Sequence, residues 1–168
     1  MKAAHAQRTV AYLRPDTIVV YDVLASGTPR TWEWNLHAVN RMTPHAPNRV
    51  AIANGDAAMC VELLAGPPAE FEQTDQFPVP PSDRKARSEW HGTFTAKEKS
   101  LRAEFITVMR VGTDCGKASG ASATREGGGW RVAIGDRTIA FEGEVASLRP
   151  ASPSGSSGGA PPSSPPKR

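Results

Sequence analysis

His5, Asp22 and His37 are the first residues along the chain whose types could act together chemically. They fall on or beside three consecutive apolar runs, and two imidazoles with one carboxylate form a legitimate ligand set for a divalent metal. The competing reading is structural: His5 sits at the N-terminal end of its run, and Asp22 can cap the turn after its strand. His45 and His91 have no zinc-pair spacing with either histidine, and no metal is assigned. A second set is Glu33, Asn35 and His37 in TWEWNLHA at 31–38, where alternation puts Trp32, Trp34 and Leu36 on the opposite face. Same-face neighbours on a strand lie roughly 6–7 Å apart. That spacing suits hydrogen bonding along a sugar, although any solvated strand face shows the same pattern. Trp32 and Trp34 are read either as core or as a platform for stacking sugar rings, and Trp90-His91 repeats that choice. The third candidate is the basic run DRKAR at 83–87, which sets Arg84 and Lys85 to meet either an anionic glycan or water.

Several chemistries find no support. The chain has no GxSxG elbow, Walker loop, dinucleotide fingerprint or HExxH pair. Its net charge is +3, and Lys167 and Arg168 carry two of those charges, leaving +1 for everything before them. That is too little for a nucleic-acid footprint, and no basic stripe interleaves with aromatics. No apolar run is long enough to span a membrane. The first thirteen residues are interrupted by His5, Gln7 and Arg8, so no signal peptide is expected. Cys60 lies in the apolar run AAMCVELL and reads first as a buried free thiol. Pairing with Cys115 stays open, because spacing alone cannot bring two Cα atoms within reach.

The elements that must position these residues are almost all strands. RTVAYL (8–13) and TIVVYDV (17–23) flank Arg14-Pro15-Asp16, where proline pre-sets the turn. RVAIA (49–53) and AAMCVELL (57–64) flank Asn54-Gly55-Asp56, which predicts a type I′ hairpin. Further strands are expected at 70–74, 89–96 and 103–111. A last hairpin joins 130–135 to 137–144 through Gly135-Asp136, with the composition of a type II′ turn. The Pro-rich stretch 75–88 and the Gly/Ser/Ala-rich stretch 112–129 read as surface loops, and 97–102 as one helical turn or a charged connection. About ten short strands without a convincing helix predict an all-β, antiparallel β-sandwich over residues 1–149. Residues 150–168 are almost entirely Pro, Ser, Gly and Ala, and predict a disordered tail that cannot offset its ordering entropy.

The run RTVAYLRPDTIVVYD, its Pro-containing turn and the strand WEWNLH together resemble the heparinase II/III-like polysaccharide lyases, in the β-sandwich region near the end of those chains. The residues that carry the resemblance are Arg8, Arg14, Pro15, Asp16, Asp22, Leu36 and His37, with AEFITVMRV fitting further on. The resemblance implies a family that cleaves uronate-containing glycans by β-elimination, with a Tyr/His pair moving the protons. It implies a catalytic tyrosine on an N-terminal α/α-toroid, and histidine motifs of H-x-H and His-Asn type, neither of which occurs in this chain. The expectation is therefore a C-terminal β-sandwich domain or fragment, inactive alone, because half a substrate groove does not hold a reacting sugar. The toroid or a partner chain and an acidic polysaccharide are the implied partners, and the family's compartment would be periplasmic or extracellular. The candidate substrate-binding residues are Asn35, His37, Arg84 and Lys85. No catalytic, metal or cofactor residue is assigned. The alternatives are a stand-alone glycan-binding module and a structural interaction domain.

Overall fold

The computed structural model describes residues 5–76, 89–112, 114–142 and, as backbone, 145–150. Arg84, Lys85 and the whole of 151–168 lie outside the described residues. The all-β expectation holds: the described residues form strands joined by turns, with no helix. They comprise β1 (His5–Leu13), β2 (Thr17–Arg30), β3 (Glu33–Ala38), β4 (Thr43–Ala46), β5 (Arg49–Asn54), β6 (Ala57–Ala65) and β7 (Ala69–Thr74). These are followed by β8 (Trp90–Ala96), β9 (Ser100–Val111), β10 (Ser122–Glu126), β11 (Gly129–Ile134), β12 (Arg137–Glu142) and β13 (Val145–Pro150).

These strands make three antiparallel sheets. The largest has the order β1-β2-β9-β6-β5-β4, a small one β3-β8-β7, and the third β10-β11-β12-β13. Each face of the six-stranded sheet carries its own apolar cluster. On one, Val50, Val61, Leu63 and Phe105 pack against Trp34, Leu36 and Phe94 of the small sheet. On the other, Val19, Tyr21, Val23, Ile106 and Val108 pack against Val132, Ile139 and Phe141. The result is a stack of three antiparallel layers, in keeping with the β-sandwich expected from the alternation. β2 and β9 are buried from both sides, which is why their sequences read as nearly continuous apolar runs and not as clean alternation.

Five details differ from the sequence expectation. β4, β10 and β13 are additional strands, and β10 lies inside the stretch read as a loop at 112–129. Short polar strands such as SATRE and TPHA carry too little apolar pattern to declare themselves. Residues 97–99 form a charged connection, one of the two readings of 97–102, whereas 100–102 already belong to β9. β2 continues past residue 23 to Arg30, with an irregularity in its pairing to β9 between Ala25 and Arg30. The Asn54 hairpin is not type I′: Asn54 pairs with Ala57, and Gly55 alone has positive φ (+59°), the pattern of a II′ turn. The β11–β12 hairpin repeats that pattern at Gly135, as expected. Finally, Cys60 is no free thiol. It is joined to Cys115 across 55 residues, with Cα atoms 5.0 Å apart.

Candidate functional site

The sequence candidates Asn35 and His37 stand on the outer face of the small sheet, as alternation along β3 requires. Trp32, Trp34, Leu36 and Ala38 are buried, while Glu33, Asn35 and His37 face outward. Both tryptophans are therefore core, not a sugar platform. The register sets this outer face as three rows across β3, β8 and β7: Glu33–Thr95–Glu70, Asn35–Thr93–Glu72 and His37–His91–Thr74. Asn35 Oδ1 accepts hydrogen bonds from Thr93 Oγ1 (3.0 Å) and from His91 Nε2 (2.8 Å). Because a carbonyl oxygen only accepts, His91 Nε2 is the donor in this contact. The His37 and His91 rings meet edge to face, with centroids 4.6 Å apart.

This face is well supplied with hydrogen-bonding groups but its charge is unfavourable for an acidic ligand. Glu33, Glu70 and Glu72 supply three carboxylates, and Lys97, paired to Glu70 at 2.8 Å, supplies the compensating cation. Alongside lies an open groove of about 580 Å³ between β4 and β7, lined by His45, Glu70, Phe71, Glu72 and Lys97 among others. Its polar groups suit sugar hydroxyls and an ammonium better than a sulfate. The hydrogen bond from Lys97 also holds the Glu70 carboxyl below the usual carboxylate range.

The metal reading of His5, Asp22 and His37 fails on Asp22, and so does the turn-capping one. Asp22 is buried beneath the small sheet, where Arg8 Nε and Nη2 donate to its two oxygens (2.7 and 3.0 Å) and Trp34 Nε1 donates at 2.8 Å. Its oxygens are committed to holding β1, β2 and β3 together. No cluster of three or more His, Cys, Asp or Glu suited to a metal occurs among the described residues.

A third site was missed from the sequence. Glu104 of β9 is buried and receives Tyr21 Oη (3.0 Å), Trp130 Nε1 (2.6 Å), Arg102 Nε (3.0 Å) and Arg125 Nη1 and Nη2 (2.7 and 3.2 Å). Burial pushes this carboxyl up, but the hydrogen bonds from Arg125, Trp130, Arg102 and Tyr21 together outweigh it and hold the group at about 2. Burial, with the hydrogen bond to Glu104, pushes the Tyr21 hydroxyl up to about 12. Arg125 also lies over the Trp130 ring, 5.1 Å from its centroid. These groups border a cleft of about 310 Å³ whose rim is completed by Gly66 and Pro67. The available signal was an acid set inside an apolar strand, AEFITVMRV. The same signal marks Asp22 in TIVVYDV and Glu62 in AAMCVELL, and all three acids are buried and paired with arginine.

No protein-family model matches the chain, and no curated protein matches it. Solved structures do resemble it in fold. Heparan sulfate lyase HepC from Pedobacter heparinus superposes with a TM-score of 0.55 at 16% identity, covering 87% of this chain and 24% of that one. A mutant of the same enzyme gives 0.56 at 14% identity, covering 86% and 23%. The chain thus spans about a quarter of the length of the structures it resembles.

Proposed function

We propose that this chain is the β region of a larger polysaccharide-lyase-type protein, without catalytic activity by itself, and that it contacts an acidic glycan. The observation that carries this reading is the superposition of 86–87% of the chain on one part of a heparan sulfate lyase. The resemblance of residues 8–37 to the heparinase II/III-like lyases points the same way from the sequence. An uncovered apolar strip adds support. Val10 and Tyr12 (both 59% exposed) and Val111 (48%) share the small-sheet face of the six-stranded sheet with the half-buried Ile18, Met109 and Met59. Exposed apolar side chains grouped in this way suit the seat of a neighbouring domain such as the family's toroid. The Cys60–Cys115 disulfide fits an oxidising compartment, as expected of an exported glycan-processing protein.

In this reading Asn35 and His37 hydrogen-bond sugar hydroxyls, and Arg84 and Lys85 provide basic contacts. The test is a pair of measurements on the full chain. Retention on immobilised heparan sulfate is expected, together with no ultraviolet absorbance from unsaturated product when the chain alone is incubated with that polysaccharide. Product formed by the chain would refute its inactivity, and absence of retention would refute the glycan contact. The apolar strip favours a second reading, a structural interaction domain. That reading gains if the chain ignores the glycan and self-associates in a way that Tyr12→Lys abolishes.

A further inference from the structure

We propose that the cleft between Arg102, Arg125 and Trp130 is a binding site for the anionic substituent, a sulfate ester or a carboxylate, of an acidic sugar. The sugar rests on the glycan reading above; the anion rests on the geometry of the cleft. Both guanidiniums are half exposed at its mouth, 53% for Arg102 and 50% for Arg125. Arg102 uses Nε and Nη2 on Glu104 and keeps Nη1, whereas Arg125 uses Nη1 and Nη2 and keeps Nε. Neither of those spare donors has a hydrogen-bond partner among the described residues. Donors that remain on two forks held in place by a common carboxylate are oriented in advance for an incoming oxyanion.

Charge favours the same ligand. The cleft is lined by two guanidiniums and one acid, so it carries an excess of one positive charge. The acid is also the least able to repel an anion, because both its oxygens already accept hydrogen bonds from Tyr21, Trp130 and the two arginines. It stays ionised down to strongly acidic pH, so the arginines keep their orientation. Trp130 adds a partly buried aromatic wall, of the kind against which the apolar face of a sugar ring packs. The size, about 310 Å³, suits one substituted sugar ring and not an extended polymer. The small sheet's outer face has neither this excess of cations nor an arginine on its three rows.

The experiment uses the intact chain and reads tryptophan fluorescence, with Trp130→Phe identifying the responding residue. Three probes are titrated: inorganic sulfate, a sulfated uronate disaccharide and its uncharged parent sugar. Saturable binding of the two anionic probes, weakening with added salt, is expected, with no response to the uncharged sugar. Arg102→Gln is expected to weaken anion binding roughly tenfold or more. Because that change also disturbs Glu104, Pro67→Glu is the independent variant: it adds a carboxylate at the rim, removes no hydrogen bond, and should weaken binding similarly while Pro67→Gln does not. No response to either anion, or equal affinity in the parent, Arg102→Gln and Pro67→Glu proteins, would overturn the site. Sulfate binding that the disaccharide cannot reproduce would keep the anion geometry but overturn its assignment to a sugar.

Discussion

The outer face of the small sheet and the arginine cleft contain similar side chains, carboxylates with cationic and aromatic neighbours, yet they use them in opposite ways. On the small sheet the carboxylates Glu33, Glu70 and Glu72 point to water and the aromatics lie beneath them. In the cleft the carboxylate lies beneath, and the arginines and Trp130 form the surface. Inverting the order changes both sign and stiffness. An exposed carboxylate is screened and rehydrates freely when its partner leaves. A buried one is tolerated only while its donors stay in place, and so fixes the positions of those donors. The cleft is thus the more organised of the two regions, though the outer face is the one that sequence alternation displays.

The largest effect expected from this contrast follows removal of the buried acid. Glu104→Ala leaves Tyr21 Oη and Trp130 Nε1 without their acceptor and sets two guanidiniums against each other. Breaking a buried charge network costs about 3–5 kcal/mol, and the half-exposed arginines can rehydrate, so about 3 kcal/mol is expected here. Glu72→Ala on the small sheet should change stability by no more than about 0.5 kcal/mol. Urea unfolding of the two variants measures the difference directly. Similar losses in both would mean that the cleft is no more organised than the outer face.

Reduction of the disulfide comes next. Cys60–Cys115 draws the segment after β9 back onto β6, where Ser119 N–H donates to Glu62 at 2.8 Å and Arg49 reaches the Gly116 carbonyl at 3.3 Å. Closing a loop of this length stabilises by about 2–4 kcal/mol through restriction of the unfolded chain. Unfolding of the oxidised and reduced chain should differ by that amount. If it does not, the buried Glu62 pair alone holds this segment.

How much of each region was legible follows from what sequence periodicity encodes. The outer face was readable because β3 alternates strictly: Trp32, Trp34 and Leu36 inward, Glu33, Asn35 and His37 outward. The partners of that face were not. His91 and Thr93 are 56 and 58 residues from Asn35, and only the antiparallel pairing of β3 with β8 brings them together. The cleft is further out of reach, since Tyr21 and Glu104 are 83 residues apart and Trp130 arrives from a different sheet. What was visible there was a conflict, an acid within an apolar strand, which demands a partner without naming it. The disulfide was hidden for the same reason. An apolar setting for Cys60 is equally compatible with a free thiol, and proximity to Cys115 is a property of the third dimension.

A smaller effect is expected from pH. Glu104 titrates near the ordinary carboxylate value in the unfolded chain and at about 2 in the folded one, so the folded state holds its proton less tightly. Its contribution is therefore complete above about pH 4.5 and is lost as pH falls from there towards 2. About 2 kcal/mol should disappear across that window, allowing for solvent screening around the half-exposed arginines. The opposite sign holds for Tyr21, raised to about 12: its contribution is intact below pH 10 and fades as pH rises towards 12. Stability measured from pH 6 to pH 2 should fall less steeply in Glu104→Gln than in the parent. Parallel curves would assign the acid sensitivity to other carboxylates.

The smallest effect belongs to the outer face and separates its two roles. Asn35→Ala deletes the acceptor shared by His91 and Thr93, but Asn35 is exposed and His91 and Thr93 are only half-buried, so water replaces the lost bonds. Stability should fall by less than about 1 kcal/mol, and anion binding in the cleft should not change, because Asn35 and Glu104 act on opposite sides of the six-stranded sheet. Retention on the polysaccharide should nevertheless weaken if this face meets sugar hydroxyls, since the lost amide is also a donor and acceptor for the ligand. A variant that folds as well as the parent and is retained equally would leave the outer face as solvated surface. Whatever glycan contact the chain makes would then have to come from elsewhere, with the arginine cleft the first place to look.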